Sequence, residues 1–188
     1  MRIVAGSARG RVLKAPKDAA RIRPTADRVR ETVFNVLGQH LDGLSVLDLF
    51  AGTGALGLEA LSRGARSAVL VDSGREALGL CRENAAALGM SALAEVLAQS
   101  VESAVPSLGK AGRKFDLVFI DPPYALKVGA STAQAVAEAG LLETGGRVIV
   151  EHSKHEVLPE RLGSLERRDV REFGETRVSI FSPVSVDP

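Results

Sequence analysis

The stretch Val46-Leu47-Asp48-Leu49-Phe50-Ala51-Gly52-Thr53-Gly54-Ala55-Leu56-Gly57 constrains the fold more than any other part of this chain. Its first five residues read as a short apolar strand. The glycines that follow have the G-x-G-x-x-G spacing of a tight turn opening a helix. A strand that runs through such a turn into a helix is the start of a βαβ crossover, and a crossover commits the next strand to parallel pairing. The remainder keeps the same alternation. A helix from Ala55 to about Arg63 precedes a strand Ser67–Val71 that ends at Asp72. A helix Glu76–Leu88, a weaker strand Glu95–Ala98 and a helix near Val101–Leu108 follow. A strand Phe115–Ile120 ending at Asp121, a helix around Thr132–Ala139 and a strand Arg147–Val150 complete the series. Short apolar strands separated by helices predict an α/β, doubly wound, Rossmann-like parallel sheet covered on both faces. Glu166–Phe173 and Thr176–Phe181, broken at Gly174, predict a closing antiparallel pair.

The first 38 residues read differently. Arg2–Ala5 and Arg11–Lys14, joined by Gly6-Ser7-Ala8-Arg9-Gly10, predict a β-hairpin. Thr25 or Asp27 can cap a helix reaching Leu37, with Val29, Val33, Val36 and Leu37 on one face. The turn-rich Gly38–Gly43 then separates an arm, residues 1–38, from a domain, residues 39–188. A net charge of +1 hides an asymmetry across that boundary. Residues 1–35 hold nine Lys/Arg against three acids, and the rest holds 15 basic against 20 acidic residues. A basic arm on a mildly acidic body is a candidate nucleic-acid surface, although a solvated arm that touches nothing has the same composition.

Composition excludes several classes. At 188 residues the chain can build a core without a disulfide or metal staple. One cysteine and three histidines show no zinc spacing, so no metal is expected. No apolar run approaches the ~18 residues of a membrane span, and the N-terminus lacks the apolar core of a signal peptide. A cytoplasmic location and no membrane partner are the corresponding expectations.

Asp48 and Asp72 suggest what the glycine loop holds. Asp72 ends the next strand, where a carboxylate can accept hydrogen bonds from ribose hydroxyls. Dinucleotides would place a pyrophosphate on the loop, and Asp48 would repel it. S-adenosylmethionine carries an ammonium and a sulfonium instead, which Asp48 would attract. Asp48 can also serve as a cap on the loop backbone, and that role does not exclude ligand contact.

The sharpest chemical feature is Asp121-Pro122-Pro123-Tyr124, directly after an apolar strand. The plain reading is a strand end with a proline stop. The richer one is methyl transfer to an exocyclic amine on a planar base. Such an amine is a poor nucleophile because its lone pair is delocalised into the ring. Hydrogen bonds from its two N–H groups to Asp121 and the Pro122 carbonyl would favour a pyramidal nitrogen and orient the lone pair. The prolines fix the backbone, and Tyr124 can stack on the base.

These residues resemble a known family. Asp121-Pro122-Pro123-Tyr124 is similar to the DPPY signature of class I amino-methyltransferases, and Asp48 to Gly54 to their cofactor motif. Arg23-Pro24-Thr25, Asp27-Arg28-Val29-Arg30-Glu31 and Phe34-Asn35, followed by LDLFAGTGALGLEALSRGA, resemble the RsmD family of bacterial 16S rRNA guanine-N2 methyltransferases. The likeness runs from Arg2 to Thr176. It implies a class I methyltransferase sheet of seven strands with the last pair antiparallel. It implies S-adenosylmethionine as cofactor and 16S rRNA as partner, within an assembled or partly assembled small subunit. A monomer is expected. The implied catalytic residues are Asp121, Pro122, Pro123 and Tyr124. Cofactor contacts fall on Asp48, Phe50, Gly52, Thr53, Gly54, Asp72, Ser73, Gln99 and Ser100. Two positions depart from the common pattern. Gln99-Ser100 stands where many methyltransferases carry an acid near the adenine, and Asp72 where a glutamate is frequent. RNA contacts are expected at Arg23, Arg28 and Arg30, then Arg9, Arg11 and Lys14. Arg28 and Arg30 could alternatively pair with Asp27 or Glu31.

Three other readings share parts of this pattern. A DNA adenine-N6 methyltransferase would use the same tetrad, but nothing between the strands adds a recognition domain. An NAD-dependent oxidoreductase would use the glycine loop, with Asp48 against it. A noncatalytic RNA-binding assembly factor would not need Asp121.

Overall fold

Strand β1 (Ser45–Leu49) is buried along its whole length in the computed structural model, which describes residues 1–16 and 24–184. Burial on both faces is why the strand reads as a continuous apolar run rather than an alternating one. The chain divides into two compact units, Met1–Ser100 and Val101–Pro188.

In the first unit, α1 (Pro24–Leu37) precedes β1, and α2 (Ala55–Ser62), β2 (Ser67–Asp72), α3 (Arg75–Ala87) and β3 (Ala94–Ala98) follow it. β2 runs parallel to β1 with Leu49 opposite Val71, and parallel to β3 with Asp72 opposite Ala98. The order is therefore β3-β2-β1, and the register sets the carboxyl ends of all three strands on one edge. The glycine turn, Asp72-Ser73 and Gln99-Ser100 all leave from that edge. Val46, Leu47, Leu49, Leu70 and Val71 are fully buried, each contributing about 1.5–3 kcal/mol of apolar transfer.

In the second unit, α4 (Val101–Lys110), β4 (Phe115–Ile120), α5 (Gly129–Glu138) and β5 (Leu142–Ser153) lead to β6 (Arg161–Leu162), β7 (Leu165–Phe173) and β8 (Thr176–Pro183). β4 and β5 are parallel, with Ile120 opposite Val150. β8 is antiparallel to both β5 and β7, and β6 pairs with β7, giving the order β4-β5-β8-β7-β6. The result is an α/β fold with parallel strands and an antiparallel edge. No helix among the described residues is long and apolar enough to cross a membrane.

Several expectations need correction. The described residues form eight strands rather than seven, because β6 adds a two-residue edge. β5 starts five residues before the expected Arg147. It passes through Gly145-Gly146, and its pairing with β4 shifts register between Phe115 and Leu117. The N-terminal hairpin pairs briefly, with Arg2 bridging Val12 and backbone bonds from Ile3 N–H to the Arg11 carbonyl at 2.9 Å and from Leu13 N–H to the Met1 carbonyl at 3.1 Å. Side chains take the backbone groups a ladder would have used: Val4 and Ala5 donate to Glu59 at 2.8 and 3.0 Å, and Lys14 N–H donates to Asn84 at 2.7 Å. These bonds tie the arm into the first unit, which runs to Ser100. Helix α1 begins at Pro24, ahead of Thr25, since a first helical residue needs no N–H partner. Its buried face is Val29, Arg30, Val33, Phe34 and Leu37, rotated away from the half-exposed Val36.

Candidate active site

The turn after β1 is built from left-handed backbone. Phe50, Gly52 and Gly54 have φ of 64°, 56° and 79°. Glycine adopts these angles without strain; Phe50, expected at the strand end, lies outside β1 as a rare left-handed side-chain-bearing residue. Gly57 serves packing instead. A Cβ there would lie 2.3 Å from Leu70 Cδ2, so only glycine lets α2 rest this closely on β2.

Asp48 lies beneath the turn with 1% of its surface exposed. Its Oδ2 accepts the Gly57 N–H at 2.9 Å, which is the capping role read from the sequence. Its Oδ1 is buried with no hydrogen-bond partner among the described residues. Burial pushes the carboxyl up to about 7, and the neighbouring charge of Asp72 adds to the effect while the Gly57 N–H opposes it. A buried carboxylate with one oxygen unclaimed suits a cationic ligand group.

Asp72 organises the same edge. Its Oδ2 accepts the Gly52 N–H at 2.9 Å and its Oδ1 the Gly74 N–H at 2.8 Å. Each oxygen keeps a second lone pair for a hydroxyl donor. Ser73 and Gln99 are exposed and Ser100 is half-buried. The Thr53 hydroxyl meets the Met1 sulfur at 3.4 Å, and its carbonyl accepts from Asn84 at 3.0 Å. Asn84 is buried and also accepts from the Lys14 N–H, so one side chain fastens both turn and arm. Cys81 donates to the Gly52 carbonyl at 3.3 Å. Burial first, then the charges of Asp48 and Asp72, push its thiol up to about 12, so it remains a thiol.

The tetrad follows the last residue of β4 in the second unit. Pro122 is buried, Pro123 exposed, and Asp121 and Tyr124 are half-buried. The Pro123 carbonyl accepts the Leu126 N–H at 2.9 Å, closing a 3-10 turn over Tyr124–Leu126. The Pro122 carbonyl has no partner among the described residues. The Tyr124 hydroxyl lies 2.9 Å from Glu151 Oε1 and 2.6 Å from Thr176 Oγ1. Burial, followed by the Glu151 charge, raises the Tyr124 phenol above its ordinary range.

The basic arm separates into committed and uncommitted cations. Arg2, Arg9 and Arg28 line one hollow of about 310 Å³ beside Glu31, and all three are exposed. Arg11 donates to the Ala87 carbonyl at 2.7 Å, and Lys14 pairs with Glu83 at 2.9 Å on the surface. Arg30 corrects the sequence reading. It is 4% exposed, its Nη2 donates to the Arg2 carbonyl at 2.5 Å, and its Nε lies 3.7 Å from Glu59. Its guanidinium is buried away from the surface where a phosphate would lie, and Glu59 is an acid it faces. Arg23 lies outside the described residues.

Sequence reading missed Glu59, Asn84, Glu151 and Thr176. Glu59 is fully buried and accepts from Val4, Ala5 and Arg63, whose guanidinium sits 4.6 Å over the Phe34 ring. The available signal was a lone acid inside the apolar helix ALGLEALS.

The family described as conserved hypothetical protein 95 matches residues 1–182. Ribosomal RNA small subunit methyltransferase D of Escherichia coli (strain K12) is 38% identical over 159 residues, covering 85% of this chain and 78% of its own. YlbH of Bacillus subtilis (strain 168) is 36% identical over 181 residues, covering 96% and 98%. The solved structure of a hypothetical protein from Thermus thermophilus is 35% identical with a TM-score of 0.80, covering 96% of this chain and 98% of that one.

Proposed function

Because the chain belongs to the RsmD family, whose matching description is conserved hypothetical protein 95, we propose that it methylates ribosomal RNA of the small subunit. The acceptor in this proposal is the exocyclic N2 amine of one guanine in 16S rRNA. The observation that carries the chemistry is Asp121-Pro122-Pro123-Tyr124 directly after β4, with the Pro122 carbonyl uncommitted among the described residues. Asp121 and that carbonyl accept the two amine N–H bonds and turn the nitrogen lone pair out of conjugation. Asp121 is then the adjacent acceptor for the proton that the methylated amine sheds. Tyr124 supplies a stacking surface for a base drawn out of its stack.

S-adenosylmethionine would supply an electrophilic methyl group on a sulfonium. The first unit's residues fit it: the unclaimed Asp48 oxygen suits the ammonium, and Asp72 retains lone pairs for ribose hydroxyls. The backbone N–H groups at the start of α2 suit the methionine carboxylate. Phe50, Gly52, Thr53, Gly54, Ser73, Gln99 and Ser100 complete the proposed contacts. The same Asp48 disfavours a dinucleotide pyrophosphate.

The hollow of Arg2, Arg9 and Arg28 is the proposed phosphate contact, with Arg11 and Lys14 flanking it. The test is tritiated methyl transfer from S-adenosylmethionine to small subunits from cells lacking this protein, beside plasmid DNA. Label in 16S rRNA, recovered as N2-methylguanosine, is the expected result. Label confined to DNA would replace the substrate, and label in neither would overturn methyl transfer.

A further inference from the structure

Tyr124 is the only tyrosine in the chain, which has no tryptophan. Its hydroxyl is engaged by two side chains of the protein. It meets Glu151 Oε1 at 2.9 Å and Thr176 Oγ1 at 2.6 Å. The strand register brings these partners together. β5 and β8 pair antiparallel with Ser153 opposite Thr176 and Glu151 opposite Val178, so both polar residues flank the end where the tetrad turn lies.

A phenol has one proton to donate, and its oxygen accepts through lone pairs. With Glu151 ionised, Thr176 donates to Tyr124 and Tyr124 donates to Glu151. With Glu151 protonated the chain runs the other way. In both arrangements the phenol donates its one proton within the protein. We infer that Glu151 and Thr176 are positioning residues that anchor the Tyr124 ring by its hydroxyl. Tyr124 then meets the base only through its ring and donates no hydrogen bond to it. This inference rests on the proposed base methylation for its consequence, but the anchor itself can be read without any methyl transfer.

The single tyrosine is its own probe. Phenolate absorbance during an alkaline titration reports Tyr124 alone. Besides Glu151, the charged group that acts on the phenol is Asp121 from its own turn, and Thr176 faces it from β8. In the wild type, phenolate should form only well above the ordinary pKa of about 10. Glu151→Gln removes the charge but keeps an acceptor, so phenolate should form at lower pH while circular dichroism stays unchanged. Methyl transfer provides the second reading. Tyr124→Phe and Glu151→Ala should each reduce kcat/KM about 5- to 30-fold, the range for one lost hydrogen bond. The double variant should be no worse than the poorer single one. Glu151→Gln should lose no more than about threefold. An unshifted titration in Glu151→Gln would overturn the anchor. Losses that multiply in the double variant, or a Glu151→Gln enzyme as impaired as Glu151→Ala, would make Glu151 a group acting directly on substrate and overturn the positioning role. A wild type that shows the raised titration yet methylates nothing would refute the proposed function and leave the anchor standing.

Discussion

Asp48→Asn tests the electrostatic design of the loop. Asp48 is fully buried and its folded-state pKa is about 7, against 3.8 for an ordinary aspartate. A raised folded pKa means the native state holds its proton longer than the unfolded chain. The contribution of this group is therefore fully present below pH ~4 and is lost as pH rises to about 7. Each unit is worth about 1.4 kcal/mol, so the whole difference amounts to ~4 kcal/mol, of which about 3 kcal/mol falls between pH 5 and pH 8. Asparagine cannot titrate. Urea unfolding at pH 5 and pH 8 should show the wild type losing about 3 kcal/mol more than the variant over that interval. Parallel stability profiles for the two proteins would refute the reasoning. A cation binding Asp48 favours the ionised form, so S-adenosylmethionine binding should release a proton near pH 7 and weaken as pH falls. The variant should bind about 10- to 100-fold more weakly by calorimetry, the range for a lost charge-assisted bond.

Four further substitutions probe other elements. Gly57→Ala drives a Cβ into Leu70 and should destabilise by about 1–3 kcal/mol in thermal unfolding. Arg28→Ala should lower the salt slope of RNA binding by about one, with stability changed by less than about 0.5 kcal/mol. Arg30→Ala should leave that slope alone and destabilise by roughly 3 kcal/mol in denaturant unfolding, because a buried acid loses a partner. Asp121→Ala should abolish methyl transfer yet keep cofactor affinity in calorimetry; loss of affinity would reassign Asp121.

Local patterns carried much of the architecture. Buried strands such as β1 and β4 announce themselves as apolar runs, and the G-x-G-x-x-G turn marks the first crossover. β3 read weakly because its residues are exposed or half-buried, none of them fully buried. The start of β5 was hidden by two glycines that the strand absorbs through a shifted register. Arg30 was counted as surface charge because a charged residue is usually exposed. Its burial depends on Glu59, 29 positions away, whose two oxygens also take the arm's backbone N–H groups. The tetrad was legible in one run of sequence; its anchor was not, since Thr176 reaches Tyr124 only through the β5–β8 pairing. Groups that act at long range in sequence leave no spacing to read.

The central claim is methylation of a small-subunit guanine. Its most direct measurement is mass spectrometry of 16S rRNA from cells with the protein, without it, and complemented with the wild type or Asp121→Ala. One N2-methylguanosine should disappear in its absence and return only with the wild type. Identical 16S rRNA in all four samples would contradict the account.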